Sequence, residues 1–254
     1  MNRQPHTADR ATSPFRRASI LLLAIVIVSG CLFLQRQGVF DFTGDEPSLS
    51  IGSSVSGSLK NGKSLPCYGN NFRSYHSLGC LLRRNSVHSA ILEIILETYA
   101  EIERVRPELR YVYGETGWPR GGRFRPHKSH QNGLCVDFFV PVRSSTGVTD
   151  LDTSLLTKFG YGIEFDSLGK LKENEIDWES MILHIHTLQS VANRRGVTIK
   201  FAIFDNELQK SLARLPRGAQ LLGSVRFSRL ASWVRHDEHY HIEFELPENK
   251  SAVP

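Results

Sequence analysis

The sequence predicts an α+β fold: a small, mostly antiparallel sheet flanked by helices. Three observations predict it. Two long stretches carry apolar residues at helical spacing, four short runs read as strands, and the order along the chain is helix, strand, strand, helix, strand, helix, strand. The hydrophobic fraction of 40% in 254 residues is enough for a sizeable core.

The first helix is expected over residues 86–105 (SVHSAILEIILETYAEIERV). Ile91, Ile94, Leu96, Tyr99, Ile102 and Val105 recur at helical spacing, and Pro107 stops the run. Residues 109–115 (LRYVYGE) alternate as a strand does. A long loop rich in Gly and Pro follows over 117–133, then a second strand over 134–140 (LCVDFFV). Residues 141–177 are polar and give no clear signal. Residues 178–195 form a helix ended by Gly196, 197–204 (VTIKFAIF) a third strand, 206–214 a short helix and 239–245 (HYHIEFE) a fourth strand. Residues 49–80, rich in Ser, Gly and Asn, read as loops and turns.

The N-terminus is different in kind. Residues 18–34 (ASILLLAIVIVSGCLFL) are an apolar run behind Arg16 and Arg17, the layout of an export signal. Either the chain stays anchored by this helix, with its bulk outside the cytoplasm, or Val28-Ser29-Gly30-Cys31 is a lipoprotein signal with Cys31 lipidated; a released form is the third alternative. The expected organisation is a signal or anchor segment over 1–36, a linker over 37–48, one domain over 49–246 and a tail over 247–254. Of the net charge of +5, the first 36 residues carry +4. The rest is close to neutral, so composition makes no case for nucleic-acid binding. In an exported chain Cys67 and Cys80 are expected to form a disulfide across their loop, the alternative being two free thiols.

Five of the ten histidines fall in two short segments, His127-Lys-Ser-His130-Gln-Asn-Gly-Leu-Cys135-Val-Asp137 and His236-Asp-Glu-His239-Tyr-His241. On a strand, His239 and His241 face the same side, about 7 Å apart. Asp137 lies within an apolar strand, where a carboxylate is costly unless exposed, paired or coordinated. His130 can fold back towards it across Asn132-Gly133. Two imidazoles and a carboxylate suit zinc, which keeps a fourth position open in catalytic sites. His130, Asp137 and His241 are then the ligands, and His239 is left as general base or transition-state stabiliser. His184 and His186 also read H-x-H, but on a helix they point about 200° apart and cannot share one metal. They are expected to pack ordinarily, and His6, His76 and His88 to be incidental.

With its lead-in, the first segment reads GETGWPRGGRFRPHKSHQNGLCVDFFV (114–140) and resembles the penicillin-insensitive murein endopeptidases. It contains the H-x(6)-D pattern of the lysostaphin-type and D-Ala-D-Ala metallopeptidase superfamily, and HDEHYHIEF (236–244) resembles that superfamily's closing H-x-H motif. SIGSSVSGSLKNGKSLP (50–66) is similar to the N-terminal stretch of these endopeptidases, so the resemblance covers 49–246. It implies a periplasmic zinc peptidase acting on peptidoglycan cross-links, for example D-Ala to meso-diaminopimelate. The rival readings are a D-Ala-D-Ala carboxypeptidase or dipeptidase, and a zinc-containing module that binds cell wall or a partner without cleaving. Matching positions imply His130, Asp137 and His241 as zinc ligands and His239 as the catalytic histidine, with His127 and His236 lining the site. Arg123 would pair with a substrate carboxylate or form a structural salt bridge. Cys135 stands where the pattern often has Ala; it reads as a small buried side chain or as a thiolate ligand. Glu243 would hydrogen-bond a ligand histidine or face solvent.

Overall fold

Two strands with opposite demands on their faces organise the molecule. In β7 (Cys135–Phe139) all five residues are buried, and in β13 (His239–Glu245) all but the last are. They pair antiparallel, with His239 opposite Phe139, His241 opposite Asp137 and Glu243 opposite Cys135. Opposed residues share a face. One face therefore carries Val136, Phe138, Tyr240 and Ile242, all in the main apolar cluster, and the other carries the histidines and carboxylates.

The structure is a computed structural model that describes residues 18–19, 21–23, 25–26, 29–30, 46–149, 151–229 and 234–247. The chain divides into two compact units, Met1–Phe40 and Asp41–Pro254. In the first, the described positions are helical, and Leu21, Leu22, Leu23, Ile25 and Val26 are exposed. Among the described residues no helix is long and apolar enough to cross a membrane. The expected anchor is described only at these scattered positions. Cys31, His6, most of the linker and the tail beyond Pro247 lie outside the described residues.

The second unit begins with strands β1 (Leu49–Ser53), β2 (Ser56–Lys60), β3 (Lys63–Ser64) and β4 (Phe72–Ser74), helix α1 (Ser77–Leu81), strand β5 (Ser86–Val87) and helix α2 (Ser89–Val105). Then come β6 (Tyr111–Tyr113), β7, β8 (Val142–Ser144), β9 (Gly147–Thr149), a 3-10 turn at Leu155–Thr157, β10 (Lys170–Leu171) and β11 (Asn174–Ile176). Helix α3 (Trp178–Arg194), strand β12 (Thr198–Ile203), helices α4 (Asn206–Ala213) and α5 (Pro216–Ser224), and β13 complete it. The main sheet has the order β12-β13-β7-β6-β4 and is antiparallel except for the parallel β4–β6 pair. The α+β class with mostly antiparallel pairing thus agrees with the sequence.

The two long helices form for the reasons their spacing suggests. The His88 side chain caps α2 by accepting from the Ala90 amide at 3.1 Å, and Ile91, Ile94, Ile95, Thr98, Tyr99 and Ile102 make its buried stripe. Asp177 caps α3 by accepting from the Ser180 amide, and Gly196, at φ +71°, follows its end. His184 of α3 packs against Phe138 with ring centroids 4.7 Å apart, so this helix covers the apolar face of the sheet.

Three regions differ from the sequence reading. Residues 49–80, expected as loops and turns, hold four short strands and most of α1, and the helix expected from residue 86 is preceded by β5 at Ser86–Val87. Residues 141–177 hold β8 to β11, a four-stranded sheet in the order β10-β11-β8-β9. Helix α5 follows from Pro216, which sits in its first turn. The physical reason is common to the strands: they are two to five residues long and mostly half-exposed, so no alternation of large apolar residues marks them. The disulfide joins Cys67 and Cys80, with a Cα–Cα distance of 6.1 Å.

Candidate metal centre

The polar face of β7 and β13 is closed by three pieces of chain: the turn of the β1–β2 hairpin, the loop 117–133 and the loop before β10. The long loop is pinned at several points. The Leu59 amide donates to the Arg120 carbonyl at 2.9 Å, and Gln131 donates to Ser54 at 3.0 Å. At Gly121, φ is +64° and a Cβ would run into the Gln131 carbonyl oxygen, so the loop needs glycine there. His130 itself adopts a left-handed φ of +67°, and His236 one of +56°. Such backbone is uncommon outside glycine and concentrates at functional sites.

Asp137 is completely buried, and four imidazoles surround it. The shortest distances are 2.8 Å from Oδ1 to His241 Nδ1, 3.3 Å from Oδ1 to His130 Nε2, 3.8 Å from Oδ2 to His239 Nε2 and 3.9 Å from Oδ2 to His127 Nδ1. Burial alone would raise the Asp137 pKa; His130, His239 and His241 outweigh it and hold the carboxyl well below its usual range. The other ring nitrogens are tied down. His130 Nδ1–H donates to the Thr116 carbonyl at 3.0 Å, and His239 Nδ1–H to Glu238 Oε1 at 2.9 Å. His236 Nδ1–H donates to the Val234 carbonyl at 2.9 Å, and His127 Nε2 lies 2.7 Å from Glu115 Oε2. Tautomers here follow from these partners.

The consequence for His130 is specific. Its Nε2 is buried, has no hydrogen-bond partner and lies 3.3 Å from Asp137 Oδ1. With Nδ1–H committed to Thr116, this nitrogen and the carboxylate oxygen share either a proton or a cation, and a divalent ion satisfies both. Two compact sets of donor atoms meet the spacing for an ion: His127, His130 and Asp137, and Cys135, His241 and Glu243. The first set, with His241 Nδ1 2.8 Å from Asp137 Oδ1, has the nitrogen and oxygen chemistry of zinc. The second set fits less well. Glu243 Oε2 already accepts from Ser54 at 2.7 Å, Oε1 pairs with Lys200 at 2.7 Å, and burial with the Glu243 charge pushes the Cys135 thiol up, keeping it neutral.

A cleft of about 960 Å³ opens beside Asp137. His127, His236, His239 and His241 line it, with Tyr161, Glu115 and Glu238. Burial pulls the His239 pKa down, but the Asp137 and Glu238 carboxylates outweigh it and raise it; burial and His239 lower His236 to about 4. Ring centroids of the two lie 4.6 Å apart. Arg123 is exposed and stands in an adjoining groove with Arg125, Lys128 and His127. Among the described residues no ion pair joins Arg123 to a carboxylate.

Four residues of the site were not singled out by sequence: Glu115, Arg84, Glu238 and Tyr161. Glu115 accepts from both Arg84 and Tyr75; burial would raise its pKa, but His127 and Arg84 bring it down to about 2. Glu238 stands within the second histidine segment and Glu115 in the lead-in to the first, so proximity to the motifs is a signal that could have found them. Arg84 and Tyr161 carry no local pattern. Three of the other histidines do structural work: His76 accepts from the Leu78 amide at the start of α1, as His88 does for α2, and His184 Nδ1 shares a hydrogen bond with the Tyr240 hydroxyl at 2.8 Å.

A family model described as penicillin-insensitive murein endopeptidase matches residues 50–253 of the chain. No curated protein matches it significantly.

Proposed function

This chain belongs to the penicillin-insensitive murein endopeptidase family, and on that premise we propose that it is a zinc-dependent endopeptidase hydrolysing peptide cross-links of peptidoglycan, with D-Ala to meso-diaminopimelate as the scissile bond. The observation that carries the reading is the cage around Asp137, above all the unpartnered Nε2 of His130 aimed at its Oδ1. In this reading His130, Asp137 and His241 hold the ion, and His127 shares a compact donor set with His130 and Asp137. When bound, zinc supplies Lewis acidity, polarising a scissile carbonyl and acidifying water.

The chain's own groups do the rest. His239 is the proton-handling residue. Glu238 fixes its Nδ1–H, which leaves Nε2 on the Asp137 side of the cleft, and the raised pKa favours a charged ring that stabilises an oxyanion and passes a proton to the leaving amine. His236, kept neutral, packs against that ring and limits its rotation. Glu115 orients His127 in the same way that Glu238 orients His239. Arg123, beside Arg125 and Lys128, offers a cationic groove to the carboxylates of a stem peptide. The family and the apolar, Arg-flanked N-terminus support a periplasmic site of action, with anchoring by the helix or by lipid on Cys31.

The test is mass spectrometry of muropeptides released from purified sacculi, with and without chelator. The expected result is cross-linked dimers converted to monomers, stopped by chelator and restored by zinc. Turnover unaffected by chelator overturns the metal mechanism. Zinc bound without turnover turns the reading into a cell-wall binding module, and loss of a terminal D-Ala alone turns it into a carboxypeptidase.

A further inference from the structure

The loop between β9 and β10 places a hydroxyl against the buried carboxylate. Tyr161 Oη donates to Asp137 Oδ2 at 3.1 Å and accepts from the Glu115 amide at 2.9 Å. The hydroxyl therefore has both its roles filled, and its direction is fixed. Gly114 makes the space: a Cβ there would come within 2.6 Å of Tyr161 Oη and 3.0 Å of Asp137 Cβ. The loop is built to hold this side chain. Lys158, Phe159 and Gly160 are three successive residues at positive φ (51°, 61° and 96°), two of them not glycine. Amides of Phe159, Gly160 and Gly162 are anchored on the Ser154 and Thr157 carbonyls at 2.8 to 3.0 Å. A run of left-handed residues is costly and persists only where surrounding contacts enforce it. Its result is a tyrosine ring 5.1 Å from His239 and 5.0 Å from Phe139, edge-on to both.

We infer that Tyr161 is a positioning residue for the metal centre: by occupying Oδ2 of Asp137 with a hydrogen bond, it turns Oδ1 towards His130 and His241 as the ion-binding oxygen. The inference rests on the metal-site reading above and adds to it the division of labour between the two carboxylate oxygens. Without the hydroxyl, Asp137 is free to rotate about its side-chain bond and to present either oxygen, and the site is less organised before an ion arrives. The aromatic ring is not needed for this, so Tyr161→Phe separates the hydroxyl from the packing.

The experiment is zinc binding to the metal-stripped full-length protein by competition with a chromophoric chelator, together with the d–d spectrum of the cobalt form and near-ultraviolet circular dichroism. Tyr161→Phe is expected to weaken zinc binding by about 10–100-fold and to shift the cobalt spectrum, with the circular dichroism of the metal-free protein unchanged. Gly114→Ala, which pushes on the hydroxyl, is expected to weaken zinc binding in the parent and to add little in the Tyr161→Phe background. Equal zinc affinity of parent and Tyr161→Phe overturns the inference and leaves the metal site standing. A parent that binds no zinc overturns both.

Discussion

His241 Nδ1 lies 2.8 Å from Oδ1 of Asp137, its register partner on the neighbouring strand. The pairing of β7 with β13 thus brings together two residues 104 positions apart in the chain. A slip of one residue would turn every histidine of β13 to the apolar face. The register is held by Tyr240, Ile242 and Phe244, which alternate with the polar residues and lie in the core. Core packing and site geometry are therefore one constraint: the same alternation that buries the apolar side chains aims the imidazoles.

Asp137 and His239 should separate metal binding from chemistry. Asp137→Asn keeps the shape but removes the charge on which four imidazoles converge. Zinc measured after dialysis is expected to fall well below one per chain, and activity with it. His239→Ala leaves His130, Asp137 and His241 untouched, so zinc content should stay near one while turnover falls by about 10²–10⁴-fold. Full zinc occupancy in Asp137→Asn would refute the ligand set, and wild-type turnover in His239→Ala would refute the proton-handling role.

Much of this site could be read from the chain because strand parity is a local property. Cys135, Asp137 and Phe139 on one face, and His239 with His241 on another strand, follow from a period of two. The helices Ser89–Val105 and Trp178–Arg194 were legible from apolar spacing. Tyr161 and Arg84 were not, because their roles depend on contacts across 24 and 31 positions that no short pattern encodes. The hairpin Leu49–Lys60 was missed for a related reason. Its strands, LSIGS and SGSLK, are mostly Ser and Gly, with Leu49, Ile51 and Leu59 their only large apolar residues, and its turn is held by contacts such as Ser54 to Glu243, 189 positions away.

The Cys67–Cys80 disulfide closes a loop of 13 residues. Chain-entropy arguments give about 3 kcal/mol for a loop of that size. It tethers the segment before β4 to α1, and Cys80 is buried at 1% exposure. The paired replacement Cys67→Ser with Cys80→Ser should lower the unfolding midpoint in denaturant by the equivalent of about 2–4 kcal/mol. The same loss should appear when the parent is reduced, and reductant should leave the double variant unchanged. A parent whose midpoint does not move on reduction would contradict the assignment.

His184 should make stability sensitive to acid independently of the metal centre. Its ring is enclosed by Tyr99, Tyr111, Phe138 and Tyr240, and burial lowers its pKa to about 3. For a base whose folded pKa lies below its unfolded value, the unfolded chain binds the proton first. The neutral ring therefore costs nothing above the ordinary histidine pKa of about 6.5, and folding stability falls as pH drops from there towards 3. At 1.36 kcal/mol per unit the full loss is up to roughly 5 kcal/mol, reached near the lower limit. Replacing His184 by Gln removes the titration and keeps an acceptor within reach of the Tyr240 hydroxyl. At neutral pH the variant should be less stable, since the glutamine amide fills the ring's place poorly. Between pH 6 and 4, where other carboxylates titrate alike in both proteins, its stability should decline less steeply than the parent's. Denaturant unfolding of both proteins at half-unit steps of pH measures the difference in slope, and parallel curves would show that His184 takes up no proton on unfolding.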